Sequence, residues 1–159
     1  HAGLASIAPL QLPGLPRSAA LEADLLALHG PDWRRDLPTP DAAADYARHL
    51  QQLDASDPGL LMAHSYVRYL GDLSGGQLLQ DIVARALGLS GEAGTRFYRF
   101  GEPGARALAA AYRQGLASIR ADDETITRLV AEACDAFGRH CELFDELASA
   151  TLTVPAGAL

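Results

Sequence analysis

Residues 66–77, Tyr-Val-Arg-Tyr-Leu-Gly-Asp-Leu-Ser-Gly-Gly-Gln, put a carboxylate, an arginine and three glycines into one stretch with the pattern of a long helix. Each glycine is about 1 kcal/mol less favourable than alanine in a helix interior, so local stability falls by roughly 3 kcal/mol and something must offset it. Gly71 and Gly75 are four apart and share a face, which leaves a strip of backbone without side chains and a place where the helix can bend. Such a strip serves either a close helix crossing or a flat ligand lying on the bare backbone. Asp72 sits beside the strip, with Arg68 four residues before it, a spacing that can hold a carboxylate ionised and oriented. A solvated i,i+4 ion pair, which contributes only a few tenths of a kcal/mol, is the competing reading of the same two residues.

A second candidate surface lies near the C-terminus. Ile126, Val130, Ala133, Phe137, His140, Phe144 and Leu147 alternate in steps of four and three, the spacing of one helical face packed on a bundle. His140 is the only polar member. It reads either as a core histidine bonded to a neighbouring carbonyl or as a residue facing a ligand, with Phe137 and Phe144 as apolar walls. Cys134 and Cys141 are seven apart, about 10 Å along a helix, too far for a disulfide, and read as reduced core residues. Their spacing with His140 fits no zinc pattern.

The elements that carry these residues are all helical. A lead-in, 1–16, punctuated by Pro9, Pro13 and Pro16, should be extended or turning, with Leu10, Leu12 and Leu15 able to dock on a core. A helix follows over 18–29, with Leu21, Leu25 and Leu28 on its apolar side, Glu22 and Asp24 on its polar side, and Gly30-Pro31 as its stop. Thr39 should cap the next helix, with Pro40 in its first position, to about residue 53. The spacing predicts a long helix over 58–87, interrupted at Gly71, Gly75 and Gly76 and ended by Gly88. After a connection over 89–103, Pro103 should open a helix to about residue 119. Asp122 or Asp123 should cap the last one, which runs to about residue 150 before a flexible tail, 151–159. No β-period segment of useful length and no repeat is visible, so the expected fold is all-α, a single domain over 1–159.

Composition excludes several functions. All 13 basic residues are arginine, so no lysine can form a Schiff base or serve a phosphate loop. The net charge of -7 has the wrong sign for nucleic-acid binding through phosphate neutralisation, and any anion must be met by a local arginine cluster. With 48% hydrophobic and 21% charged residues, the chain has ordinary globular composition. No run approaches a membrane span, and the N-terminal stretch lacks the features of a signal peptide, which points to a cytoplasmic protein without membrane or nucleic-acid partners.

Residues 63–77, Ala-His-Ser-Tyr-Val-Arg-Tyr-Leu-Gly-Asp-Leu-Ser-Gly-Gly-Gln, closely resemble the distal-helix signature of the biliverdin-forming heme oxygenases. The similarity continues through Ala19-Ala20-Leu21-Glu22-Ala23-Asp24-Leu25, Gly30-Pro31-Asp32-Trp33, Tyr112-Arg113 and Ala136-Phe137 to Leu143-Phe144-Asp145-Glu146-Leu147. The resemblance implies a multihelical bundle with heme between a proximal helix and this kinked distal helix. In that arrangement Gly71 and Gly75 lie against the porphyrin with Ser74 beside them. Asp72 anchors distal waters, with Arg68 in the same network, and Arg113 and Tyr66 meet the propionates. Phe137 lines the pocket, and His140 stands where the family often has an asparagine near the heme.

The family's first two helices, with the proximal histidine, would precede His1, so the ligand to iron is expected upstream. Its identity in this chain is unknown, and His1, His64 and His140 are not assigned to it. A lysine that some members use near the propionates is replaced around Ala109, leaving more of the anion to Arg113. The implied activity is oxidative opening of heme, as cofactor and substrate, to biliverdin with release of CO and ferrous iron. It uses O2 and electrons from a separate reductase or ferredoxin. A heme-binding or trafficking module without turnover is the alternative of another class. A thiaminase-like hydrolase using Cys134, or a di-iron oxidase, is less compatible, since neither needs the Gly71/Gly75 strip and no Glu-x-x-His pair is present.

Overall fold

Prolines and glycines divide the chain into helices where the sequence places them, with differences at several ends. The computed structural model describes residues 7–152, so the expectations for 1–6 and 153–159 lie outside the described residues. All regular structure among the described residues is helical: α1 (Ser18–His29), α2 (Trp33–Asp36), α3 (Asp41–Ser56), α4 (Leu61–Ala86), α5 (Ala105–Ser118) and α6 (Asp123–Leu152). Single 3₁₀ turns cover Ala8–Leu10, Pro58–Leu60 and Arg96–Tyr98. The chain divides into two compact units, one of residues 1–37 and 68–120, the other of 38–67 and 121–159.

In the first unit the lead-in docks as expected. Leu10 and Leu15 are buried with Leu108, Ala109 and Tyr112 of α5, and Tyr112 is fully shielded. Asp24, expected on a polar face, is instead buried, while Leu21 and Leu28 are exposed. The reason is a remote partner: the Asp24 carboxylate accepts the backbone N–H of Arg96 at 2.9 Å and of Phe97 at 2.7 Å, tying α1 to the turn that begins the aromatic run. A buried carboxylate is tolerable when its lone pairs are met in this way. The long helix α4 passes through all three glycines without a break, contrary to the expected interruption. Good helix formers on both sides, propagating an already nucleated helix, outweigh the glycine penalty. Pro103 does not open α5, which starts at Ala105 behind Gly104, whose φ of 89° only glycine adopts readily.

In the second unit, Pro40 rather than Thr39 stands at the N-cap of α3, and no side chain of that residue closes the helix. The Glu146 carboxylate does so, accepting the N–H groups of Asp41 at 2.8 Å and Ala42 at 2.7 Å, where the helix dipole also favours a negative charge. Asp122 caps α6 as expected, its Oδ1 accepting the Thr125 N–H at 2.8 Å. Bonds from Thr125, the side chain's first, hold the Asp122 carboxyl below its ordinary range. The apolar stripe of α6 is not the packed face it was expected to be. Ile126, Val130, Phe137, Phe144 and Leu147 are exposed, and Ala136, fully buried, marks the packed side. Cys134 and Cys141 are likewise exposed free thiols, not core residues.

Candidate functional site

The glycines of α4 separate by what each one faces. A Cβ at Gly76 would meet the Tyr98 carbonyl oxygen at 3.7 Å, so that glycine packs against its own unit, with Leu73 buried nearby on the same helix. At Gly71 and Gly75 a Cβ would meet nothing within 4 Å. The close-crossing explanation therefore fails among the described residues: the strip is bare and nothing lies on it. Leu78 and Ile82 extend the same helical face from Gly71 and Gly75 and are 66% and 45% exposed, which continues the strip as an apolar surface.

Asp72 is positioned beside this strip as its spacing predicts. Its Oδ2 lies 3.0 Å from Arg68 Nε, and the side chain is only 14% exposed while Arg68 is half-exposed. The Arg68 guanidinium also lies 5.0 Å from the centre of the Phe97 ring, so an aromatic face fixes the cation that fixes the carboxylate. The next turn is anchored through Tyr69, whose ring meets the buried Tyr112 ring at 6.2 Å.

Ser74 and Arg113 come together in one cleft of about 280 Å³, lined also by Leu73, Gln77, Ala105, Arg106 and Ala109. Arg106 was not foreseen, although a signal existed. It precedes Arg113 by seven residues, two helical turns, on the same face of α5. Two arginines over a serine hydroxyl make a receptor for an anionic group such as a carboxylate.

Tyr66, Phe137 and His140 belong to the other unit. Tyr66 and Phe137 are exposed, at 43% and 58%. The half-buried His140 places Nδ1 2.7 Å from the Ala136 carbonyl oxygen, and its ring meets Tyr46 edge-on at 5.4 Å. A carbonyl only accepts, so in the neutral ring Nδ1 carries the proton and Nε2 keeps its lone pair.

The same unit holds a polar cluster that the sequence reading missed. His49 Nε2 and His64 Nε2 lie 2.6 and 2.8 Å from one oxygen, Glu132 Oε1, and the Tyr46 hydroxyl is 2.7 Å from His64 Nδ1. Burial pushes the Glu132 carboxyl up, but the two histidine hydrogen bonds and the charge of the rings outweigh it and hold the group below its ordinary range.

A sequence profile of the heme oxygenase family matches residues 2–146 of this chain. Heme oxygenase 1 of a Nostoc species is 42% identical over 134 residues, covering 84% of this chain and 56% of that protein. Heme oxygenase 1 of Synechocystis is 40% identical over 139 residues, covering 87% and 58%. Among solved structures, the heme complex of Synechocystis heme oxygenase-1 aligns with a TM-score of 0.85 at 37% identity, over 92% of this chain and 66% of that one. Synechocystis heme oxygenase-2 with heme and NO aligns with a TM-score of 0.84 at 38% identity, over 90% and 60%. The chain thus spans a little over half the length of these curated relatives.

Proposed function

The chain belongs to the heme oxygenase family, and on that premise we propose that it opens heme oxidatively to biliverdin, releasing CO and ferrous iron. One observation carries the reading: the backbone at Gly71 and Gly75 is bare, faces no other part of the described chain, and has a nearly buried carboxylate at Asp72 beside it. A planar macrocycle fits such a strip, because it needs close backbone approach over an extended apolar face and makes no demand on side chains there. When bound, heme supplies both the iron that activates O2 and the ring that is opened.

The chain's own groups then have distinct tasks. Gly71 and Gly75 would allow the ligand close to the helix, whose bare backbone there would shield the ring from one side. Asp72, paired with and oriented by Arg68, would order water over the ligand and relay protons through it. Arg113 and Ser74, joined by Arg106, would receive the propionates. By the same resemblance we assign Tyr66 to a propionate, Phe137 to an apolar wall and His140 to a heme contact, for which its free Nε2 lone pair is suited. The iron-ligating residue is assigned to none of these. Residues 1–159 are read as one domain of the family.

Ring opening consumes electrons that the polypeptide does not store, and we assign their supply to a separate reductase or ferredoxin. We place the protein in the cytoplasm, where the exposed thiols of Cys134 and Cys141 would stay reduced. No described helix is long and apolar enough to cross a membrane.

The test is a hemin titration followed by addition of reductant under air. With the iron ligand supplied, loss of the Soret band with stoichiometric biliverdin is expected. A Soret band that survives reduction and oxygen would make the protein a heme-binding module without turnover.

A further inference from the structure

We propose that His49, His64 and Glu132 form a binding site for one divalent first-row transition-metal ion, using none of the residues assigned above to heme. The residues come from α3, α4 and α6, all within the second unit, so the fold and not a local motif brings them together. One ligand atom from each residue lies within 4.8 Å of the other two. Both imidazoles present Nε2 to the same carboxylate oxygen, at 2.6 and 2.8 Å. In the neutral rings those contacts are two N–H donors converging on one acceptor. An ion takes the place of the two protons, needing the ligand atoms to separate only to about 3.3 Å, the edge of a tetrahedron with bonds near 2.0–2.1 Å. Two imidazoles and one carboxylate suit Zn2+ or Fe2+ rather than Ca2+ or Mg2+, which prefer oxygen.

The surroundings are those of a metal centre. The three side chains are 20%, 6% and 14% exposed, shielded enough to strengthen the bonds and open enough to admit an ion. The Tyr46 hydroxyl, 2.7 Å from His64 Nδ1, fixes the orientation of that ring and leaves Nε2 as the ligand once Nδ1 carries the proton. Asp135 Oδ2 is 3.5 Å from His49 Nε2, and Arg139 holds the Asp135 carboxylate at 2.5 Å. Asp135 therefore reaches the fourth position directly or through water. With two neutral imidazoles, Glu132 supplies one full negative charge at the site, and Asp135 shares its own with Arg139.

The experiment uses the heme-free protein with Cys134→Ser and Cys141→Ser, since exposed thiols would compete for the ion. Titration with Co2+ should give the ligand-field bands of a four- or five-coordinate ion, saturating at one equivalent, and Zn2+ should displace it. X-ray absorption of the Zn2+ form should show nitrogen and oxygen neighbours at about 2.0–2.1 Å, with multiple scattering from two imidazoles. His49→Ala and Glu132→Gln should each weaken Zn2+ binding by more than about 10²-fold, and Tyr46→Phe by about tenfold. Glu132→Gln retains a hydrogen-bond acceptor for both rings and so separates loss of the metal from loss of the fold. Saturation unaffected by either ligand variant, absorption data with fewer than two imidazoles, or no uptake at stoichiometric Co2+ would overturn the proposal and leave a closed hydrogen-bond network.

Discussion

At Gly115 on α5 a Cβ would sit 2.6 Å from the Pro9 carbonyl oxygen and 3.1 Å from Leu10 Cδ2, whereas at Gly71 and Gly75 on α4 it would meet nothing within 4 Å. Both places lie within helices of the same unit, and glycine costs a helix up to about 1 kcal/mol at each, less in the last turn where Gly115 stands. On α5 the return is visible within the protein: the lead-in packs its backbone directly on the helix, burying Leu10 and Leu15. On α4 no such return exists among the described residues. Glycine next to a neighbour is explained by folding. Glycine in open space beside the Arg68–Asp72 pair is not, and we read it as room for something that arrives after folding.

The contrast breaks most severely with leucine. Gly71→Leu or Gly75→Leu should leave a folded protein with an unchanged or higher melting temperature and no measurable hemin binding, because the side chain fills space that only a ligand uses. Gly115→Leu should fail to fold, since Pro9 and Leu10 already occupy that space. Circular dichroism melts and hemin titrations on the same samples decide it, and a Gly71→Leu protein that melts early would return α4 to the ordinary role of a packing helix.

The chemical half of the contrast is tested at Asp72, which sits beside the bare strip and is paired with Arg68. Asp72→Ala should bind hemin with nearly unchanged affinity yet form biliverdin about 10²- to 10⁴-fold more slowly, the usual loss for one positioned acid–base group. Arg68→Ala should show a weaker form of the same defect, since the carboxylate remains. Single-turnover biliverdin yield at matched heme occupancy is the measurement, and full yield from the alanine variant would leave a heme-binding module.

What could be read from the sequence divides along the same line. The glycine strip, the Arg68–Asp72 pair, the stop at Gly30 and the cap at Asp122 were legible because each is a relation among residues within four positions of one another. The misread features depend on distant partners. Asp24 is buried because Arg96 and Phe97 donate to it from 72 and 73 positions away. Thr39 yields its capping role to Glu146, whose carboxylate reaches α3 across 105 positions. The His49–His64–Glu132 cluster draws one residue from each of three helices, and no periodicity in any of them announces it. The stripe on α6 was found correctly as a stripe. Helical spacing identifies an apolar face but not what covers it, and Phe137 and Phe144 are exposed rather than packed.

A sharper comparison uses a single methyl group at each position. For Gly115→Ala, helix propensity improves by up to about 1 kcal/mol, but a methyl carbon 2.6 Å from a backbone oxygen forces the lead-in outward, and overpacking of this kind costs about 1–3 kcal/mol. The net effect should be a melting temperature lower by a few degrees, at about 2–4 °C per kcal/mol for a protein of this size.

The smallest expected effect is the most diagnostic, because its sign is opposite. Gly71→Ala adds the same methyl to the same kind of element, with a gain of about 1 kcal/mol in propensity and no contact within 4 Å to oppose it. The heme-free protein should therefore melt about 2–4 °C higher than the wild type. Heme should reverse this ordering. A methyl group holds the ring off the backbone, so the extra stability that hemin confers on the wild type, which grows with ligand concentration over the dissociation constant, should be smaller in the variant. Melts with and without saturating hemin give four temperatures, and the informative quantity is their double difference. If the variant is more stable than wild type in both conditions by the same amount, the strip makes no contact with heme and the glycines need another explanation.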